Sequence, residues 1–188
     1  MTPTFLRHRV RLAARVIANG GLVAYPTEAV YGLGCDPWNR AAVMRLLVLK
    51  CRQQSKGLIL IAADPQQLAP FVLSLAPARM AAILASWPGP NTWLLPARPG
   101  VPEWLRGRFD TLAVRVTQHP LAAALCRAYG GAIVSTSANV AARLPARSAD
   151  QVRRRFPGGL DLILAGACGG ADRPSVIRDG CTGQVLRP

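Results

Sequence analysis

The chain has 188 residues, long enough for a proper core, and its 51% hydrophobic and 17% charged content excludes a disordered polymer. Its longest strongly apolar run, Gly57–Ala63, is too short to cross a bilayer, and the charged start MTPTFLRHRVR does not read as a secretion signal, so the cytoplasm is the expected compartment. With 23 Lys+Arg against 9 Asp+Glu the formal net charge is +14, a surplus that attracts RNA or phosphorylated small molecules unless the arginines are only solvated surface.

In chain order, Leu6, Val10, Ala13, Ala14 and Ile17 share one side of a helix over Phe5–Ala18, with Arg7, Arg11 and Arg15 as a basic stripe. Asn19-Gly20-Gly21 stops it, and Gly21–Tyr25 reads as a buried strand ending at Pro26. A loop is expected to about Arg40, then a helix over Ala41–Lys50 and a strand over Leu58–Ala62. Helices follow over Pro65–Leu73, Pro77–Trp87 and Pro120–Tyr129, with strands at Thr92–Leu95, Leu112–Thr117 and Ala132–Ser135. Ser148 caps a further helix, and Ser175–Arg187 reads as a β-hairpin. Interleaved strands and helices with hairpin signals predict one α/β domain over residues 1–188, with a mixed parallel/antiparallel sheet.

Familiar catalytic signatures are missing: there is no phosphate-loop, dinucleotide or zinc-protease motif. Five widely spaced cysteines without a C-x-x-C pair argue against a zinc site or a disulfide framework. His8 and His119 read as surface or capping residues rather than catalytic bases.

Four segments place polar groups where strands end, the place where open α/β sheets bind ligands. Thr27 and Glu28 follow the first strand, either in a ligand loop or in an ordinary turn with Thr27 as N-cap. Lys50-Cys51-Arg52-Gln53-Gln54-Ser55-Lys56 holds both lysines of a chain with 21 arginines. Helix-end electrostatics explains the charge there but not the choice of lysine, whose compact ammonium suits a phosphate oxygen. Val134–Asn139 runs into hydroxyls and an amide, suited to phosphate, ribose or an amino acid, or else to a plain polar turn. Thr111, Ala113, Arg115 and Thr117 share one strand face. An arginine inside an apolar strand needs a partner, either a substrate carboxylate or an internal acid.

Assembled in order, YPTEAVYGLG, KCRQQSKGLILIA, WPGPNTWLLPA, FDTLAVRVTQHPL, VSTSAN and PSVIRDGCTGQVLRP resemble the TsaC/YrdC family of threonylcarbamoyl-AMP synthases, in its short single-domain form. The resemblance implies a twisted mixed sheet flanked by helices. It also implies condensation of L-threonine, bicarbonate (or CO2) and ATP, with Mg2+, into threonylcarbamoyl-AMP and pyrophosphate, for N6-threonylcarbamoyladenosine in tRNA. By position, Thr27, Arg115 and Ser135 would hold threonine; Lys50, Arg52 and Lys56 would face the phosphates, Lys50 and Arg52 as the catalytic pair. Thr111, Ser137, Asn139 and Arg187 would complete the ATP site, and Thr92 would shape the pocket. No permanently bound cofactor or protein-held metal is expected. Structured RNA such as tRNA and the downstream threonylcarbamoyl-transfer proteins are the expected partners. Gln53 replaces a frequent proline, and Val140-Ala141-Ala142 replaces a frequent Leu-Ser-Gly. The competing reading is a non-catalytic RNA-binding module, supported by the Arg7/Arg11/Arg15 stripe and Arg153-Arg154-Arg155.

Overall fold

The computed structural model describes residues 3–141, 143–173 and 175–187. The chain opens with α1 (Pro3–Ala18), the hairpin β1 (Val23–Pro26) and β2 (Tyr31–Gly34), α2 (Arg40–Leu49) and β3 (Ile59–Ala62). It continues through α3 (Pro77–Ala85), β4 (Asn91–Pro96), α4 (Glu103–Arg106), β5 (Thr111–Val116), α5 (Pro120–Tyr129) and β6 (Ile133–Ser137). It closes with α6 (Ala149–Arg155), β7 (Leu162–Ile163), β8 (Val176–Asp179) and β9 (Val185–Arg187).

Among the described residues the strands form one nine-stranded mixed sheet in the order β7-β1-β2-β6-β3-β5-β4-β8-β9. Strand alternation divides the core between its two faces. Val23, Tyr25, Ile61 and Ile133 pack with Val10, Ala13, Ile17, Ala122 and Leu125 of α1 and α5. Their neighbours Ala24, Leu60, Ala62 and Val134 join the other cluster, with Val43, Leu46 and Leu47 of α2 and Val152 of α6.

Local chemistry explains most boundaries. Pro120 opens α5, His119 Nδ1 accepts from the Ala122 N–H at 3.5 Å, and left-handed Gly130 ends the helix. Ser148 Oγ accepts from the Gln151 N–H at 3.3 Å, while Gln151 Oε1 takes the Arg147 N–H at 2.7 Å. The C-terminal hairpin is the antiparallel pair β8–β9.

Two expectations fail. The loop expected after β1 contains β2, which pairs with β1 and β6. Its glycines hide the strand signal, yet a Cβ at Gly34 would stand 2.5 Å from the Val134 carbonyl oxygen, so the sheet closes only around glycine here. The helix expected over Pro65–Leu73 is a 3-10 turn over Pro65–Leu68, with Asp64 capping its start. Ala69 still has helical backbone (φ −55°, ψ −33°), but Pro70 after it has no N–H to carry the helical hydrogen bonds on.

Candidate active site

On the face that carries α1 and α5, β3, β5 and β6 present Ile59, Arg115 and Ser135, in the register Ile59↔Ser135 and Ile61↔Arg115. The β1–β2 loop and the end of β6 rise beside them to enclose a cavity of about 270 Å³. Thr27, Glu28, Arg52, Arg115, Ser135, Ser137, Asn139 and Arg187 all line it. A second chamber of about 290 Å³ shares Arg52, Leu58, Ile59 and Arg187 with the first. Its other walls include Lys56, Arg106 and Thr111 over an apolar floor with Leu94, Leu105, Phe109 and Ile177.

The β1–β2 loop is held by its own bonds. Thr27 N–H and Thr27 Oγ1 both donate to the Val30 carbonyl, at 3.1 and 2.6 Å. The hydroxyl hydrogen is therefore engaged, and the Thr27 oxygen remains an acceptor at the cavity wall. At the far wall Ser137 Oγ donates to Asn139 Oδ1 at 2.5 Å, and Asn139 Nδ2 donates to the carbonyls of Val140 and Arg143 at 3.0 and 2.8 Å. The turn replacing Leu-Ser-Gly is thus self-bonded through Asn139; its Ala142 lies outside the described residues.

Arg115 is buried and has an internal partner. Its Nη2 stands 3.2 Å from Glu28 Oε2, while Glu28 Oε1 accepts from Thr117 Oγ1 at 2.7 Å and the Gln118 N–H at 3.1 Å. Burial alone would raise the Glu28 carboxyl; Arg115, Thr117 and Gln118 outweigh it and hold it below its ordinary value. The ion pair is close but poorly aligned, so Arg115 Nε and Glu28 Oε2 are buried with no hydrogen-bond partner. Arg115 itself lines the cavity, and a guanidinium there is a fork that a bound carboxylate fits. The sequence reading leaves Glu28 between a ligand loop and an ordinary turn and assigns it no site role. The usable signal was the requirement that Arg115 be paired.

Arg52 Nη2 donates to the Gly57 carbonyl at 2.9 Å, and Arg187 Nη2 to that of Ser175 at 3.0 Å. Burial, with Arg187 nearby, holds the Arg52 guanidinium below its ordinary value; burial and Arg115 do the same to Arg187. Arg115 is buried, Arg52 half-buried and Arg187 exposed; three guanidiniums around one cavity repel one another, and an anion between them relieves the repulsion.

The expected residues divide between the two chambers. Thr27, Arg115, Ser135, Ser137 and Asn139 line the first, Thr111 and Lys56 the second, and Arg52 and Arg187 both. Thr92 lines neither; it is buried, and its hydroxyl lies 2.7 Å from that of Ser175, which does line the first. Lys50 corrects the expectation of a phosphate-facing ammonium. It is buried outside both linings, and its Nζ donates to the main-chain carbonyls of Ser137 and Asn139. No group of three His, Cys, Asp or Glu side chains among the described residues could hold a metal ion, and no helix among them is long and apolar enough to cross a membrane.

The Sua5/YciO/YrdC family model, which carries the description "Telomere recombination", matches residues 15–188. The chain belongs to that family. Across 179 residues it is 62% identical to the threonylcarbamoyl-AMP synthase of Nitrosococcus oceani, covering 95% of this chain and 97% of that one. It is 56% identical to the enzyme of that name from Methylococcus capsulatus, covering 95% and 96%. The structure of P. abyssi Sua5 complexed with L-threonine superposes with a TM-score of 0.89 at 34% identity. That match covers 97% of this chain, which spans 54% of the P. abyssi protein. E. coli YciO, at 24% identity and a TM-score of 0.84, shares the fold.

Proposed function

We propose that the chain is a threonylcarbamoyl-AMP synthase, condensing L-threonine, bicarbonate or CO2, and ATP for N6-threonylcarbamoyladenosine in tRNA. The observation that carries this reading is the double chamber: Arg115 lines one half, and Arg52 and Arg187 stand where the halves meet. The 62% identity to a synthase and the threonine-bound P. abyssi relative support it.

In this reading Arg115 takes the threonine carboxylate, with Thr27 and Ser135 beside the rest of the amino acid. The apolar floor of the second chamber takes adenine, and Thr111 lies at the ribose. The triphosphate then passes Arg52, Arg187 and Lys56. The threonine nitrogen attacks the carbon of CO2 and loses a proton, giving a carbamate. A carbamate oxygen attacks the α-phosphorus, the bond to the β-phosphate oxygen breaks, and pyrophosphate leaves. The protein's share is positioning and neutralisation of charge. Glu28, the one acid among the described residues of the first chamber's wall, is committed to Arg115, so Mg2+ would travel on the phosphates rather than in a protein cage.

We place the enzyme in the cytoplasm as one YrdC-like domain. Its exposed arginines on α1 and α6 offer contacts to the backbone of structured RNA, and downstream threonylcarbamoyl-transfer proteins would take the adenylate. The test is pyrophosphate release from ATP, which must require both threonine and bicarbonate. Release that ignores threonine, or none from folded protein, overturns the reading.

A further inference from the structure

Lys50 closes α2 as its C-cap, where a cation suits the helix end. It is only 4% exposed and makes no ion pair among the described residues. Instead it is tied to one short segment at three points. Its Nζ donates to the carbonyls of Ser137 and of Asn139, the latter at 2.6 Å, and its own carbonyl accepts the Ala141 N–H at 3.1 Å. Burial, with Arg52 nearby, brings its pKa down to about 8, so the ammonium is held in a costly position by carbonyl dipoles alone.

Two properties of this arrangement explain the residue. Carbonyls two residues apart converge on one nitrogen, which a tetrahedral ammonium can serve and a planar guanidinium, with donors spread along a fork, cannot. The two oxygens also belong to residues that line the first chamber, where in the reading above the α-phosphorus must meet the carbamate. Turned back onto Lys50, their partial negative charge points away from the place where phosphates would lie.

We propose that Lys50 is a positioning residue: from behind the cavity it gathers the Ser137 and Asn139 carbonyls, so that these main-chain acceptors are turned away from the nucleotide phosphates. The inference rests on the nucleotide-site reading above, but its first test needs no turnover. In the unliganded protein, Lys50→Met removes the donors at similar volume. The amides of Asn139 and Ala141 should then exchange with solvent at least about tenfold faster. ATP affinity by calorimetry should fall about ten- to hundredfold, and threonine affinity by less than about twofold. Unchanged amide exchange beside a lost ATP affinity would overturn the proposal, because Lys50 would then touch the nucleotide itself.

If Lys50→Met does not fold, nitrogen NMR of the wild-type lysine ammonium decides. A buried, bonded Lys50 signal that barely moves on adding inorganic pyrophosphate supports the proposal, and a large shift overturns it. Failure of threonine-dependent pyrophosphate release, by contrast, would overturn the functional reading and leave the exchange result standing.

Discussion

Arg115 and Lys50 are both nearly sealed from solvent, at 8% and 4% exposure, Arg115 on the cavity wall and Lys50 behind it, yet they are satisfied in opposite ways. Arg115 has an acid, Glu28, which is anchored in turn by Thr117 and Gln118. Among the described residues Lys50 has no acid, only carbonyl dipoles and a helix end. Arg115 lines the cavity and its Nε has no hydrogen-bond partner, whereas the ammonium of Lys50 is spent on holding the backbone. A cation with a spare donor is fitted to meet a substrate; one fully engaged with the main chain shapes the wall that meets it.

The largest effect should come from breaking the charge-paired side. Arg115→Ala leaves Glu28 buried without its counter-charge, costing about 3–5 kcal/mol in urea unfolding. It should also raise the threonine KM about ten- to hundredfold and the ATP KM far less. An unchanged threonine KM would remove Arg115 from the amino-acid end.

Lys50→Arg tests the other side without removing charge. A guanidinium forced into the space of an ammonium overpacks it, costing about 1–3 kcal/mol, and ATP affinity should fall with it. Wild-type affinity and stability in that variant would end the argument from ammonium geometry.

Acid separates the two cations further. The Glu28 carboxyl is held below its ordinary 4.5, so its contribution to stability is complete above that pH. It is lost as pH falls below 4.5 through the depressed value, because the unfolded chain then binds the proton first. In Glu28→Gln this part of the acid loss should vanish from unfolding curves between pH 5 and 2 (rough bounds set by carboxylate titration); the same acid slope in both proteins would count against the pairing.

The smallest effect lies between Lys50 and Arg52. Cys51 has φ of +50° and sits where α2 ends, with its N–H bonded to the Val48 carbonyl and the Arg52 N–H to that of Leu47. This is the left-handed helix ending that favours glycine. Cys51→Gly should therefore raise the melting free energy by about 0.5–1 kcal/mol and leave both cations in place. Destabilisation would mean that the cysteine side chain contributes packing outweighing the backbone strain.

Much of the frame was legible in the residues. Pro120 and Gly130 bracket α5, Ser148 caps α6, and the alternation along Leu58–Ala62 and Leu112–Thr117 sets which side chains face which layer. The shared face of Thr111, Ala113 and Arg115 reappears as cavity wall. Less legible were β2, which carries two glycines and exists through pairing on both sides, and the place of Glu28, two residues beyond a strand and resembling any turn acid.

The sequence by itself determined the α/β frame and the concentration of cations and hydroxyls at strand ends, because periodicity, caps and turn chemistry act within a few residues. Only the tertiary structure decided how each buried cation is satisfied. Thr117 meets Glu28 across 89 positions and Lys50 meets Ser137 across 87, contacts set by strand order and register rather than by neighbours in the chain. Lysine at position 50 could be noticed as unusual from composition alone; that its ammonium faces carbonyls appears only once β6 is laid against the end of α2.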